Sequence, residues 1–375
     1  MRIFVRTIYL VAKNVPTAHG RGNLNKPEKA SPMPEPAACS GSRNALAAPV
    51  PTSTAIDAAL AYSARMPDST SYRPRRVPSS EFVSVRGLRH HVLAWGDAGL
   101  VTPERPTLVM LHGWMDVAAS FQFVVDALPT DRRVIAIDWR GFGLTDTPAG
   151  DTYWIPDYVG DLDGILDALL PGQAIDLLGH SMGGNAVMLY AGLRPERVRR
   201  LVNLEGFGMP KTRPEQAPKR FVQWLDDLKT VHELRTYPTL EAVAARLQKT
   251  NPLLRGDRAA WLAGQWSRPR VGPDGTPVEY ELLADPDHKR GTPVLYHVED
   301  VLEIWKQISA PLLWVEGDQT DVGRWWGNRY TKQEFHQRLA VVPRVEKHVL
   351  SPAGHMLHHD QPEALAERLE SFLAA

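Results

Sequence analysis

The chain has 375 residues, and its 43 Lys and Arg residues balance its 43 Asp and Glu residues, so the formal net charge at pH 7 is zero. This balance excludes a global attraction to nucleic acid or to an anionic membrane. The lone cysteine, Cys39, excludes an intramolecular disulfide and a cysteine-based zinc site. The sequence also lacks a run of the roughly 20 apolar residues that a membrane-spanning helix needs. We therefore expect a cytoplasmic protein that neither binds nucleic acid nor inserts stably into a membrane.

Residues 1–77 are predicted to form a disordered leader. They are rich in Pro, Ala, Ser and Arg, as in the stretch 31–42 (SPMPEPAACSGS), and such a composition has little apolar surface to bury. The first residues are faintly similar to a signal peptide, but Arg6 and Thr7 interrupt the apolar stretch and no small-x-small cleavage site follows. The sequence leaves open whether the leader is a targeting signal.

After the leader, short apolar runs alternate with helical patterns. Residues 82–85 and 91–95 flank a turn at Arg86 and Gly87 and predict an antiparallel hairpin. Six further runs are apolar along nearly their whole length, which is typical of strands that are covered on both faces, as in a parallel sheet. The alternation predicts a doubly wound α/β domain with a mostly parallel sheet, whose ligand site lies at the carboxyl ends of the strands. The six runs are 107–111, 134–137, 175–178, 201–204, 312–315 and 347–350.

One long stretch, 209–295, interrupts this alternation after the sixth predicted strand. Its pattern is helical, and it contains several prolines and tryptophans. An insertion at this point would hang over the carboxyl ends of the strands, so we expect a helical lid. The core of the protein would then comprise residues 78–208 and 296–375.

The decisive motif is residues 179–183, GHSMG, which lie between an apolar run and a helical pattern. A strand, a tight turn and a helix are the context in which G-x-S-x-G presents a nucleophilic serine. The glycines allow the sharp turn, and the turn raises the hydroxyl group of Ser181 at the positive end of a helix. A serine that merely caps the helix is the alternative, but the flanking patterns favour Ser181 as a nucleophile.

A neutral hydroxyl group needs a base to become a good nucleophile, and His355 is the predicted base. It lies in the loop 351–357 between the last predicted strand and the C-terminal helical pattern, at the sheet edge where Ser181 is expected. We interpret His358 and His359 as solvated loop residues. The histidines lack H-E-x-x-H spacing and a convincing carboxylate partner, so we predict no metal site. No phosphate-cradling glycine loop is evident in the sequence, and the chemistry needs no organic cofactor.

Acyl transfer places negative charge on a carbonyl oxygen, and preorganised N–H donors stabilise that charge by roughly 3–4 kcal/mol each. The backbone amide of Met182, directly after the nucleophile, is one expected donor. The loop that follows the run 107–111 should supply the other. Gly113 lets the backbone turn in this loop, so the amide of Trp114 is the second candidate.

These motifs, in their order along the chain, resemble the α/β-hydrolase family across residues 81–373. They are 112–114 (HGW), 138–143 (DWRGFG), 179–184 (GHSMGG) and 354–355 (GH). Three segments are similar to the serine hydrolase-like branch of that family: 112–116 (HGWMD), 246–251 (RLQKTN) and 283–290 (LADPDHKR). The resemblance implies the fold and a hydrolytic Ser/His site, but it does not supply a substrate.

Three residues are candidates for the carboxylate that should orient the histidine. In many α/β-hydrolases this acid lies three residues past a glycine that follows the strand at 312–315, but here that position is Thr320, flanked by Asp318 and Asp321. Some relatives, including many haloalkane dehalogenases, place the acid at the end of the preceding strand, where this chain has Glu205. We favour Glu205, followed by Asp321 and then Asp318.

The sequence therefore predicts a serine hydrolase that cleaves a carboxylic ester of a small, largely apolar molecule through an acyl-enzyme intermediate. The lid is rich in Trp and Leu, which favours an apolar group on the substrate. Trp325 and Trp326 are candidate substrate contacts, with packing between lid and core as the alternative. Other Ser/His chemistry of the fold (carbon–carbon hydrolysis, perhydrolysis or a lyase reaction) and non-catalytic ligand binding stay open. The sequence does not predict an oligomeric state.

Overall fold

The computed structural model describes residues 72–150 and 152–375. Residues 1–71 of the predicted leader lie outside the described residues. The described residues contain strands β1 (Ser79–Val85), β2 (Leu88–Trp95), β3 (Leu108–Leu111), β4 (Val134–Ile137), β5 (Ile175–His180), β6 (Val198–Leu204), β7 (Ser267–Val271), β8 (Pro277–Leu282), β9 (Leu312–Gly317) and β10 (Val345–Leu350).

Eight of these strands form one sheet in the order β1-β2-β4-β3-β5-β6-β9-β10. The pairs β1–β2 and β2–β4 are antiparallel, and the remaining neighbours in the sheet are parallel. The predicted hairpin and the mostly parallel, doubly wound sheet are thus confirmed. Because β3, β5, β6, β9 and β10 run in the same direction, their carboxyl ends meet at one edge of the sheet, where such folds bind ligands.

The helices of the described residues are α1 (Gln122–Ala127), α2 (Ile155–Leu169), α3 (Met182–Leu193), α4 (Ala217–Asp227), α5 (Leu240–Thr250), α6 (Gly256–Trp266), α7 (Val298–Lys306), α8 (Gly323–Trp326), α9 (Lys332–Leu339), α10 (Leu357–Asp360) and α11 (Pro362–Ala374). They pack on the sheet in two groups. One group pairs α1 with α11, and in the other α3 packs against α2 and α7. Every residue of β3 and β4 is buried, and since successive side chains point to opposite faces, both faces of the central sheet are covered. No helix in the described part of the chain is long and apolar enough to cross a membrane.

The stretch 209–295, hereafter called the insertion, lies between β6 and α7. It contains the helices α4, α5 and α6, and in addition β7 and β8, an antiparallel pair that the sequence did not predict. Most side chains of β7 are exposed, so this strand has no apolar run in the sequence. A second apolar cluster stabilises the insertion. In this cluster, Val243 and Leu262 of the insertion pack with Phe123 of α1.

Residues 72–77 contact the core and are not part of a detached leader. The hydroxyl of Tyr72 and the backbone amides of Arg75 and Arg76, the latter two at 2.8 and 2.7 Å, donate hydrogen bonds to the carboxylate of Asp126 on α1. Arg76 also forms an ion pair with Asp131 at 2.9 Å. The predicted boundary after residue 77 is therefore wrong for this segment, because contacts made by backbone amides and polar side chains leave no apolar pattern in the sequence.

Candidate active site

Ser181 lies at the tight turn between β5 and α3, with backbone angles φ 53° and ψ −113°. Two glycines permit this turn. A Cβ atom at Gly179 would lie 2.4 Å from the carbonyl oxygen of Gly183, and one at Gly183 would lie 2.3 Å from the carbonyl oxygen of Leu111. Both distances are far shorter than van der Waals contact, so a larger residue would push α3 away from the sheet. The turn is a strained strand–turn–helix unit that fixes the position of the Ser181 hydroxyl.

A line of hydrogen bonds runs from Ser181 through His355 to Glu205. The Nε2 atom of His355 lies 2.9 Å from the hydroxyl oxygen of Ser181, and its Nδ1 atom lies 2.7 Å from Oε2 of Glu205. A carboxylate only accepts hydrogen bonds, so Nδ1 carries the imidazole proton and Nε2 accepts from the serine. The three side chains follow β5, β6 and β10, whose carboxyl ends meet at one edge of the sheet.

Glu205 is held by a constrained backbone and by two donors besides His355. Its φ angle is 58°, in the left-handed region, and its side chain is almost fully buried. The amide of Gly317 donates to Oε1 at 2.8 Å and the hydroxyl of Thr320 donates to Oε2 at 2.9 Å. Burial raises the pKa of Glu205, and these two donors oppose the rise because they stabilise the carboxylate. Thr320 occupies the position at which many α/β-hydrolases carry the acid. Here its hydroxyl group instead donates to Glu205, which follows the neighbouring strand β6.

The other two candidate acids lie away from His355. The carboxylate of Asp321 is 60% exposed and lies 3.6 Å from the guanidinium of Arg324. The carboxylate of Asp318 accepts hydrogen bonds from the hydroxyl of Ser351 at 2.6 Å and from the amide of Ala353 at 2.9 Å. Asp321 and Asp318 therefore do not occupy the predicted position beside the imidazole, because each is engaged within its own surface loop.

The imidazole of His355 is enclosed on several sides. Trp325 packs edge-on against it, with ring centroids 4.5 Å apart, and His180 donates through Nε2 to the carbonyl oxygen of His355 at 2.7 Å. Burial lowers the pKa of His355 because it disfavours the imidazolium. The side chain keeps 17% of its surface exposed, so a neutral ring stays accessible from the adjoining cavity.

The segments that carry the two predicted oxyanion donors, Met182 and Trp114, border the cavity at Ser181. Met182 is the first residue of α3, and the first amides of a helix have no partner within the helix. On the opposite side, a Cβ atom at Gly113 would lie 3.2 Å from Cβ of Ser181, so the loop after β3 passes close to the serine. Gly113 and Trp114 line the same cavity as Ser181. The start of α3 and the loop after β3 therefore both lie beside the hydroxyl group of Ser181.

This cavity has a volume of about 620 Å³ and lies where the insertion faces the strand ends. The core lines it with Ser181, His355 and Trp325, and the insertion lines it largely with apolar side chains. Trp326, the second predicted substrate contact, is not part of this lining. Its ring is buried against Tyr330, with centroids 5.2 Å apart. For Trp326, packing within the core is therefore the correct interpretation.

A cluster of buried polar side chains lies beside the site. His358 and His359 are buried in α10, so their interpretation as solvated loop residues was wrong, and burial lowers the pKa of both. Asp116, which follows β3, supplies a carboxylate partner that the sequence did not reveal, with Oδ2 lying 3.6 Å from Nε2 of His358. Among the described residues, Asp116, His180 and His358 offer potential metal-ligand atoms within 4.8 Å of one another.

The fold and this site define the class of protein. The model of the alpha/beta hydrolase fold family matches residues 106–362, and the chain belongs to that family. The chain is also similar to serine hydrolase-like proteins. The proteins that are similar to this chain include an esterase and another hydrolase.

Three known proteins illustrate the likeness. The serine hydrolase-like protein of Danio rerio is 34% identical over 162 residues, which are 41% of this chain and 49% of that protein; the match thus spans about half the length of that relative. Esterase YbfF of Escherichia coli (strain K12) is 24% identical over 275 residues, or 71% of this chain and 92% of that protein. The thioesterase domain from the curacin biosynthetic pathway superposes with a TM-score of 0.65 at 23% identity, covering 78% of this chain and 99% of that chain, a likeness of fold.

Proposed function

We propose that this protein is a serine hydrolase that cleaves carboxylic esters of small, largely apolar molecules through an acyl-enzyme intermediate. Ser181 is the nucleophile, His355 the general base and Glu205 the acid that orients the base. The observation that supports this proposal most directly is the unbroken line of hydrogen bonds through these three side chains. Each of these contacts has a task in acyl transfer, and similarity to an esterase is in keeping with it.

In the first half of the reaction, Oγ of Ser181 attacks the ester carbonyl carbon while Nε2 of His355 takes the hydroxyl proton. The tetrahedral intermediate then collapses, the bond to the alcohol oxygen breaks, and His355 returns the proton to the leaving alkoxide. In the second half, water attacks the acyl-enzyme and gives a proton to His355. That proton returns to Ser181 as the carboxylic acid departs.

The backbone amides of Met182 and Trp114 stabilise the oxyanion that both tetrahedral intermediates carry. They belong to elements that are fixed before the substrate arrives, the start of α3 and the loop after β3. Donors that need no rearrangement stabilise the developing charge most effectively. Substitutions that shift the backbone at Met182 or Trp114 would therefore lower the rate of acylation more than the affinity for the ester.

Glu205 acts on the imidazole through charge and orientation. The buried carboxylate of Glu205 is poorly solvated. It therefore interacts strongly with the positive charge that develops on His355 in the transition state. The same hydrogen bond keeps the proton on Nδ1 and leaves Nε2 free to accept from Ser181. Gly317 and Thr320 hold the carboxylate in place, which makes them positioning residues for this pair.

The insertion acts as a lid over the site. Its residues form one wall of the cavity that contains Ser181, and a wall of apolar side chains excludes water and binds apolar parts of a substrate. Trp266 of the lid donates a hydrogen bond to Asp116 of the core at 3.0 Å. The partner of this protein is accordingly a small ester-type molecule, which the reaction converts without a cofactor.

The test of this function is labelling with a fluorophosphonate probe together with hydrolysis of p-nitrophenyl esters of graded acyl length. We expect the native protein to be labelled and to hydrolyse at least one of the esters, and Ser181→Ala to lose both properties. Ser309→Ala is the matched control, since Ser309 is an exposed residue outside the cavity, and it should behave as the native protein. Labelling without ester hydrolysis would favour other Ser/His chemistry, and an unlabelled native protein would favour a ligand-binding role.

A further inference from the structure

The lid wall of the cavity carries an excess of positive charge. Its lining includes Arg235, Arg246 and Lys289, and it includes no Asp or Glu from the insertion. The chain as a whole has equal numbers of acidic and basic residues, so this excess is a local property of the wall. In a site that otherwise binds apolar groups, such a charge calls for a physical explanation.

Arg246 is the most informative of the three cations. Val243, Arg246, Leu247 and Thr250 of α5 all line the cavity, and their spacing of three, four and seven residues places them on one face of the helix. Arg246 thus lies in the middle of the face that points into the cavity. Lys249, on the same helix, is exposed and is not part of the lining.

These cations lack carboxylate partners in the part of the chain that the structure describes. No ion pair there involves Arg235, Arg246 or Lys289, and Lys289 donates to the carbonyl oxygen of Glu233. The two carboxylates that do line the cavity come from the core and are engaged elsewhere. Asp321 is paired with Arg324, and Asp116 accepts a hydrogen bond from Trp266.

We infer that the natural substrate of this site is an ester that also carries an anionic group, a carboxylate or a phosphate, at an end remote from the reacting carbonyl. Arg246 is its main counterion, supported by Arg235 and Lys289. A guanidinium in this wall can bind an anion well, because its planar donors bind carboxylate or phosphate oxygens in pairs. The inference rests on the proposed function, since it concerns the substrate of the same Ser181 site.

Matched esters test the inference with the full-length protein. One pair carries the charge on the acyl side: the mono-p-nitrophenyl ester of adipic acid and the ester in which a primary amide replaces the free carboxylate. A second pair carries it on the alcohol side, as the butyrate esters of p-hydroxyphenylacetate and of its amide. We expect kcat/KM to favour the anionic member of at least one pair by about tenfold, mainly through KM. A phosphonate in place of the carboxylate then distinguishes the two sources of charge, since a phosphate site should favour it further.

The variant Arg246→Gln should reduce kcat/KM for the preferred anionic ester by about 10- to 100-fold, and this loss should far exceed the loss for the neutral amide. Lys249→Gln removes the same charge from the solvent face of the same helix and should change neither value. Added salt should raise KM for the anionic ester in the native protein, because mobile ions screen the attraction. Equal turnover of the charged and neutral members of both pairs, or an Arg246→Gln variant that keeps the preference, would overturn the inference.

The design separates this failure from a failure of the proposed function. If the neutral esters are hydrolysed and the activity depends on Ser181, but charge has no effect, the function stands and the anionic substrate is wrong. If no ester is hydrolysed and the fluorophosphonate probe does not react, the hydrolase proposal itself is wrong. Binding of adipate to the Ser181→Ala protein by calorimetry, compared with adipamide, then reports on Arg246 without any turnover.

Discussion

At the scale of single residues, Glu205 should be the acid on which turnover depends. In Glu205→Gln the amide would donate towards Nδ1 of His355, which moves the imidazole proton to Nε2 and removes the acceptor for Ser181. We expect kcat/KM to fall by about 10²- to 10⁴-fold. Asp321→Asn is the comparison, because the carboxylate of Asp321 pairs with Arg324 and is largely exposed. This variant should lose far less activity. Equal losses in both variants would contradict the assignment, provided that thermal unfolding shows both to be folded.

The pH dependence of turnover should report the buried state of His355. The imidazole must be neutral to accept the Ser181 proton, and burial lowers its pKa from the ordinary value of 6.5. The neutral form therefore persists to lower pH than in an exposed histidine. We expect the acid limb of kcat/KM for a neutral ester to have its midpoint below pH 6.5, with circular dichroism showing a folded protein throughout. A midpoint above that value would mean that the imidazolium is stabilised in the free enzyme.

The sequence singled out Ser181 and His355 as candidates, but it ranked the candidate acids only weakly. Ser181 lies in a motif whose glycines make a steric requirement visible, whereas Glu205 is marked only by its place after an apolar strand. The position three residues past Gly317 carries Thr320 and not an acid, and the hydroxyl group of Thr320 donates a hydrogen bond to Glu205. A threonine at that place is a signal that could have raised Glu205 in rank. The burial of His358 and His359 has no such local signal, since it depends on how α10 packs against distant elements.

At the scale of secondary structure elements, the turn before α3 should tolerate almost no added volume. In Gly183→Ala the new methyl group would meet the carbonyl oxygens of Leu111 and His112 at 2.3 and 2.6 Å. We expect a loss of about 1–3 kcal/mol in the free energy of unfolding, measured by urea denaturation, together with loss of esterase activity. Gly256→Ala is the control, since a methyl group there would lie 3.9 Å from Nε2 of Gln248, which is ordinary van der Waals contact. A Gly183→Ala protein as stable and active as the control would show that α3 can shift freely.

The elements of the core were predictable because burial on both faces leaves a continuous apolar run. The run 107–111 corresponds to β3 and the run 134–137 coincides with β4. The strands of the insertion had no such signal. β7 reads SRPRV, with exposed arginines and a proline, and it forms a strand because it pairs with β8. Pairing between neighbouring segments, rather than burial, decides this structure, and local sequence patterns report pairing poorly.

At the scale of the whole molecule, the site is assembled from segments that are far apart in the sequence. The sheet brings the ends of β5, β6 and β10 to one edge, and the insertion closes the cavity from the other side. In the proposed function, the core supplies the reacting groups, and the insertion acts as a lid that supplies the apolar wall and its cations. Substitutions in the lid should therefore change substrate preference while the Ser181–His355–Glu205 line stays intact.

The boundary of the folded core also follows from contacts that cross the molecule. Deleting residues 1–71 removes none of the contacts described above, whereas deleting 1–77 also removes the donors from Tyr72, Arg75 and Arg76 to Asp126. Asp126 is only 5% exposed, so its carboxylate would lose partners in a place that water barely reaches. The longer deletion should cost about 1–3 kcal/mol in the free energy of unfolding relative to the shorter one. Urea denaturation of the two truncated proteins measures this difference, and equal midpoints would show that the segment 72–77 contributes nothing to stability.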